Sequence, residues 1–405
     1  MYRGFLCAVI AITLGSGIAF AQEVKIGFAG PFTGPSANSG LAMRQGTQLA
    51  IDEVNAKGGV VIGGKHVPIH TFFEDSQGRP EVGVAAAQRL LTRDQVDILV
   101  ADIFNSQVTL AVMELAGTFD KFMMSGQPVS DEIPKKIKSN PQKYKNFWKP
   151  GYTSSGYAQT VLGTVTSLAA AGKLKIKKKT FAFLIEDNDA GRGTSIAVRA
   201  KLEENGWTHV GTEVLPNGYS DFYPQLSKYR NDPPDIFLTL FTAPNSGAAL
   251  VKQIKEQDFA TFHFAMFFPT RPEFYQAAGD AAEGLVWAPL FFDAVHNPTQ
   301  RALADRIRQT FNVPANADHA LAYCITAMLL DNISRAGTVA PDKLSEVFAT
   351  TDFSCAVGRW RFNREGHDAV TGADGIPMPA AQVQGGANYV IWPPSVATSD
   401  YKPPR

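Results

Sequence analysis

Residues able to do covalent or metal chemistry are scattered along this 405-residue chain. The seven histidines are His66, His70, His209, His263, His296, His319 and His367, and no spacing among them suits a zinc site. His66 and His70 stand four apart, but they straddle Pro68 in strand-like sequence and cannot share a helical face. No G-x-S-x-G nucleophile elbow occurs. The first glycine-rich loop carries neither G-x-G-x-x-G nor G-x-x-x-x-G-K-[ST] spacing, so it is not a nucleotide fingerprint. Asp187 and Asp189 are close carboxylates, yet a spacing of two in a loop fits a solvated turn or a helix cap better than acid–base work. The remaining chemistry is non-covalent: hydroxyls, amides and rings gathered in loops. It points to a binding protein with no cofactor and no metal, and not to an enzyme.

Those loops follow strands. In VKIGFAGPFTGPSANSG the apolar alternation from Val24 to Phe28 reads as a strand, and Gly30-Pro31 opens a polar loop. Helical spacing starts at about Leu41 and stops at Gly58-Gly59. Val67–Phe73, Val96–Ala101 and Phe122–Met124 read as further strands, and they end in Glu74-Asp75-Ser76, Asp102–Ser106 and Ser125–Ser130. Loops at the carboxyl edge of a parallel sheet converge on one cleft. The second half repeats the rhythm, with strands at Phe181–Ile185, Val210–Val214, Asp235–Phe241, Phe262–Phe268 and Gly284–Phe292. Helices are expected from about Thr194 to Asn205, Thr299 to Thr310, His319 to Arg335 and Pro341 to Ala349. The basic stretch Pro134–Lys149 is poorly periodic and reads as a solvated surface connection, as does Lys173–Lys179.

Met1–Ala21 has a positive start at Arg3, an uncharged apolar run from Phe5 to Phe20 and an Ala19-Phe20-Ala21 cleavage signal. It is read as a signal peptide, which implies a periplasmic mature protein. Lys plus Arg and Asp plus Glu number 38 each, so no net field draws the chain to nucleic acid. Past the signal segment only Cys324 and Cys355 remain, and spacing leaves a disulfide and two free thiols equally open.

VKIGFAGPFTGP, AIDEVNAKGG, FEDSQGRPEVGVAAAQRLL and DAAEGLVW occur in order over nearly the whole mature chain. Together they resemble the branched-chain amino acid type of periplasmic solute-binding protein that serves ABC importers. The resemblance implies an α/β fold of two Rossmann-like lobes, 22–148 plus 289–352 and 149–288 plus 353–405. Three hinge crossings would join them, near Trp148–Gly151, Trp287–Leu290 and Asp352–Gly358. It implies a monomer that closes on a small ligand between its lobes and presents it to a membrane-embedded permease. A ligand sensor built on the same fold is a further reading.

Ligand contacts implied by the family fall on Phe32 and the Ser36–Ser39 segment, on Asn105 and Ser106, and on Ser125, Gln127 and Pro128. Val129 stands where the family has a threonine and can neither donate nor accept through its side chain. Ala190 replaces a family aromatic. No carboxylate lies at Phe267, Phe268 or Pro269, where the family acid would meet the ligand ammonium, and a buried ammonium without a partner is costly. An apolar or aromatic carboxylate is therefore expected, with Tyr152, Phe241 and Phe268 stacking on it and Arg271 or Arg192 meeting its charge. A branched-chain amino acid held by rearranged contacts is the alternative.

Overall fold

Strand and helix alternate through residues 23–259, 261–372 and 374–403, the part described by a computed structural model. Met1–Ala21, the stretch read as a signal peptide, lies outside the described residues. The first lobe runs through β1 (Val24–Gly30), α1 (Ala37–Asn55), the hairpin of β2 (Val60–Ile62) and β3 (Lys65–Val67), and β4 (Ile69–Asp75). It continues with α2 (Pro80–Thr92), β5 (Ile98–Val100), α3 (Ser106–Val112), β6 (Phe122–Met124), α4 (Glu132–Ser139) and β7 (Phe147–Trp148). Its sheet is parallel, in the order β4-β1-β5-β6-β7.

The second lobe follows with α5 (Ser154–Ala170), β8 (Thr180–Glu186), α6 (Asp189–Glu204), β9 (Thr208–Leu215), α7 (Tyr223–Tyr229) and β10 (Ile236–Phe241). Then come α8 (Pro244–Glu256), β11 (Phe262–Phe267), α9 (Pro272–Ala278) and β12 (Val286–Ala288). The chain next returns to the first lobe as α10 (Pro298–Phe311), α11 (Ala317–Ala336) and α12 (Pro341–Phe348). A hairpin of β13 (Phe353–Cys355) and β14 (Gly358–Trp360) leads to β15 (Ala380–Gln384) and β16 (Ala387–Trp392), which add to the second sheet antiparallel. That sheet has the order β16-β15-β12-β11-β10-β8-β9.

Burial explains the strand patterns. Every residue of β5, β6 and β10 is buried, as a parallel strand covered on both faces requires, whereas edge strand β9 alternates. Long helix α11 lies against α1, and Gly46 permits the approach: a Cβ there would stand 2.2 Å from the His319 carbonyl oxygen. Cys324 on α11 and Cys355 in β13 are joined in a disulfide, with Cα atoms 5.7 Å apart.

Several elements differ from the sequence reading, among them β4, which begins at Ile69 rather than Val67. Helix α1 begins at Ala37, inside the stretch read as loop, and α6 begins at Asp189 rather than Thr194. The supposed connection at Pro134–Lys149 contains α4, which buries Ile133, Pro134 and Ile137. Pro134 is tolerated because it lies in the first turn, where a backbone N–H has no helical partner to lose. Strand β12 spans only Val286–Ala288, and Pro289 has no N–H with which to extend its ladder.

Candidate functional site

In each sheet the strand order reverses beside one strand, next to β1 in the first and β8 in the second, and ligands sit outside the carboxyl ends at such points. The loops at those edges face each other across a cleft of about 1170 Å³. Residues after β1, β4, β5 and β6 line one side with Ala317, Asp318 and Leu321 of α11, residues after β8, β9, β10 and β11 line the other with Tyr157 of α5, and Tyr152 and Phe291 come from the segments after β7 and β12.

The first lobe holds its loops with two carboxylate acceptors, half-buried Asp75 and fully buried Asp102. Asp75 accepts from the backbone of Phe32 and Thr33, at 2.9 and 3.2 Å, and so sets the turn after β1. Asp102 accepts from the Phe104 and Asn105 amides, at 2.8 and 2.5 Å, and from Ser76 Oγ at 2.8 Å. Complete burial outweighs those bonds and pushes its carboxyl up to about 6. Asn105 then caps α3, accepting from the Gln107 and Val108 amides at 3.0 and 3.3 Å. Ser106 Oγ accepts from the Ser130 amide at 3.3 Å, which ties the loops after β5 and β6 together.

Four rings form a continuous wall. Phe291 meets Tyr152 at 4.3 Å between centroids, Tyr152 meets Tyr157 at 5.8 Å, and Tyr157 meets Phe267 at 5.2 Å. Phe267 takes φ +74°, a conformation rarely adopted by an L residue, and Thr270 Oγ1 donates to its carbonyl at 2.6 Å. The Phe267 ring thereby lines the cleft, while the next ring, Phe268, packs on Phe274 in the core.

Beside that wall, Arg271 of the second lobe pairs with Asp318 of the first, Nη1 donating to Oδ2. Both side chains are largely covered, at 19% and 8% exposure. Burial alone would lower the guanidinium's pKa, but the charge and hydrogen bond of Asp318 outweigh it, so it is held above its ordinary value. Burial, and then the Asp318 charge, push the Tyr152 hydroxyl up to about 12. A second contact between the lobes is Gln107 Nε2 donating to Asp189 Oδ1 at 2.8 Å.

At the end of the basic stretch, Lys149 is fully buried rather than solvated, its Nζ donating to the carbonyls of Gly151 and Tyr152 at 2.9 and 2.6 Å. Burial pushes its ammonium down to about 8, against the opposing pull of Asp368 and Asp131. The folded chain therefore binds fewer protons than the unfolded one between pH 8 and 10.5, and stability rises with pH across that window. The full rise is about 3 kcal/mol, and it should disappear in Lys149→Met when the two proteins are unfolded in urea at pH 7.5 and pH 10. A difference between them that does not change with pH would remove Lys149 as its source.

Of the residues singled out in the sequence, Asn105, Ser106, Gln127, Tyr152, Ala190 and Arg271 line the cleft, as do Ser36, Ser39 and Val129. The others lie elsewhere. Phe32 packs edge-on against Phe73, with the Arg44 guanidinium 5.6 Å from its ring. Ser125 and Pro128 are buried outside the lining, and Phe241 is held in the core against Phe222. Phe241 and Phe268 are thus core rings and not stacking surfaces. Arg192 is bound to Asp187 at 2.7 Å on the exposed start of α6. The reading missed Tyr157, Phe291 and above all Asp318. A carboxylate does face the cleft, supplied by the other lobe from the first turn of α11, where Asn316 and His319 form a capping box.

A periplasmic binding protein family model matches residues 23–387. A Leu/Ile/Val-binding protein of Rhizobium johnstonii is 26% identical over 81% of this chain and 85% of its own length. A leucine-, isoleucine-, valine-, threonine- and alanine-binding protein of Pseudomonas aeruginosa is 26% identical over 85% of this chain and 87% of its own. Among solved structures, an isoleucine complex of a branched-chain amino acid substrate-binding protein from Streptococcus pneumoniae covers 91% of this chain and 98% of its own, with TM-score 0.72 at 21% identity. A benzoate complex of an ABC-transporter solute-binding protein from R. palustris covers 94% and 98%, with TM-score 0.74 at 16% identity. The length of the family match, one parallel and one mainly parallel sheet, and the cleft at their facing carboxyl edges agree: this chain belongs to the periplasmic binding protein family.

Proposed function

We propose that this protein is a periplasmic receptor that captures a small carboxylate with an apolar, aromatic body and delivers it to a membrane-embedded ABC permease. The observation that carries this reading is Arg271. Its guanidinium is largely covered and stands next to the ring wall, and only Nη1 is engaged by a described residue. The remaining donors form a planar fork suited to a carboxylate. Val129 and Ala190 each add a small apolar side chain to the lining beside the ring wall, and the R. palustris relative in fold was solved with benzoate.

Closure follows from two lobes contacting one ligand, which binds the closed form better than the open one. The lobes we infer are 22–148 plus 289–352 and 149–288 plus 353–405. They pivot at crossings near Trp148–Gly151, Trp287–Leu290 and Asp352–Gly358, a division supported by β7 ending one sheet just before α5 packs beside the other.

A second reading is a branched-chain amino acid as cargo. Asp318 favours it, because it supplies the carboxylate that an ammonium needs, and the bacterial relatives are named for those amino acids. A thermal-shift screen of ligand-stripped protein separates the two, using benzoate- and cinnamate-type acids against leucine, isoleucine, valine and phenylalanine. Ligand at roughly 100 to 1,000 times its Kd adds about 3–4 kcal/mol, a plain upward shift in Tm. Aromatic acids are expected to shift the melt. If leucine or valine alone does so, the second reading replaces the first.

A further inference from the structure

The second-lobe side of the cleft carries opposite charges at its two ends. Among the described lining residues of that lobe Arg271 is the only cation, and it follows β11. The loop after β8 brings Asp187, Asn188 and Asp189 to the same lining, and Ala190 beside them adds only a methyl. Strands β8, β10 and β11 are successive neighbours in one sheet, so the outer two end about 10 Å apart.

Behind the acidic end lies a fixed proton. Glu186, the last residue of β8, is fully buried. Its Oε2 accepts from the Thr242 amide at 2.9 Å, from Asn188 Nδ2 at 2.6 Å and from the Thr242 hydroxyl. Its Oε1 is buried and has no partner among the described residues. A carboxylate that short of donors holds firmly to those it has. Thr242 Oγ1 therefore turns its one proton inward, and Asn188 Nδ2 stands 3.3 Å away on one of its lone pairs. The other lone pair is left for the cleft, which Thr242 lines. Beyond β8 and β10 the lining thus offers acceptors, and beyond β11 it offers a guanidinium.

We propose that the cleft takes a carboxylate with a hydrogen-bond donor at its far end, across an apolar body, and that Thr242, held by Glu186, reads that donor. The proposal rests on the reading of Arg271 as the carboxylate anchor. A ring with a hydroxyl or an ammonium opposite its carboxylate matches this polarity. An α-amino acid, with both groups on one carbon, does not span the two ends. A second carboxylate at the far end meets Asp187, Asp189 and a hydroxyl with no proton to give, and is repelled. Hydroxyl and ammonium share one chemistry as donors and are told apart by the probes. Glu186 is a positioning residue, because it acts only through Thr242.

The test is calorimetric binding of benzoate, 4-hydroxybenzoate, 4-(aminomethyl)benzoate and terephthalate, which differ only opposite the carboxylate. The proteins are the wild type, Thr242→Val, Thr242→Ser and Glu186→Gln. The wild type should prefer at least one donor-bearing acid to benzoate by about fivefold to tenfold, the usual effect of one hydrogen bond, and should bind terephthalate more weakly than benzoate. In Thr242→Val the ratio of donor-bearing acid to benzoate should fall to about one, and Thr242→Ser should keep it. In Glu186→Gln the Thr242 hydroxyl is free to turn, so that ratio should fall while terephthalate gains on benzoate. Equal weakening of all four acids in Glu186→Gln would be a structural loss and would overturn the part given to Glu186. A wild type that prefers no donor-bearing acid, or a preference that survives in Thr242→Val, overturns the proposal and leaves the carboxylate anchor standing. If the wild type binds none of the four, the anchor fails and the proposal with it. The wild-type ratios alone decide the matter if a variant does not fold.

Discussion

Arg271→Ala should weaken binding of an apolar carboxylate by roughly 30-fold to several thousand-fold, the range seen when one member of a buried charge pair is truncated. Two losses combine. The ligand loses its anchor, and Asp318 is left as a covered charge with nothing opposite it. The second loss should also lower Tm, so affinity and stability fall together in the single variant. In Arg271→Ala/Asp318→Ala the uncompensated charge is gone, and stability should recover while affinity does not. Calorimetry and a melt on the three proteins give the comparison. An affinity within about threefold of wild type in Arg271→Ala would take the guanidinium out of the site.

Cys324→Ser/Cys355→Ser should cost about 3–4 kcal/mol of stability, the loop-closure entropy released when a cross-link spanning 31 residues is lost. Neither cysteine lines the cleft, so ligand affinity measured well below Tm should change little. Urea unfolding of the wild type with and without a thiol reductant should reproduce the difference. An unchanged midpoint under reductant would mean that the bond contributes nothing to the folded state.

The alternation of apolar runs and polar loops made the two sheets legible, because a parallel strand buried on both faces leaves a nearly unbroken apolar signature, as at Asp235–Phe241. Loops at the carboxyl edges were legible for the same reason, and within them it was the family resemblance, not spacing, that pointed to Asn105, Ser106 and Gln127, all of which line the cleft. What stayed hidden depends on direction rather than composition. Phe267 and Phe268 are identical and adjacent, and only a backbone turn to positive φ decides which ring meets the cleft. Lys149 closes a run of lysines that reads as solvent-facing, yet its ammonium is needed by two carbonyls in the interior. Asp318 reads as an ordinary acid in a helix's first turn, where it suits the dipole. Its second role needs a partner 47 residues away on the other lobe, which no local pattern announces.

Helix α11 carries Asp318 near its start and Cys324 six residues later, about 9 Å along a single rod. Its first turn reaches the opposite lobe through Asp318, and Cys324, still in its first half, is bonded to Cys355 of β13. A stiff rod turns as a whole, so Cys355 must travel with α11 whenever the lobes swing. The third crossing proposed above would then have no slack before residue 355, and its bending would fall on Ala356, Val357 and Gly358. The sulfur bridge would thus shorten the lever arm of that crossing and place its pivot on the far side of the weld.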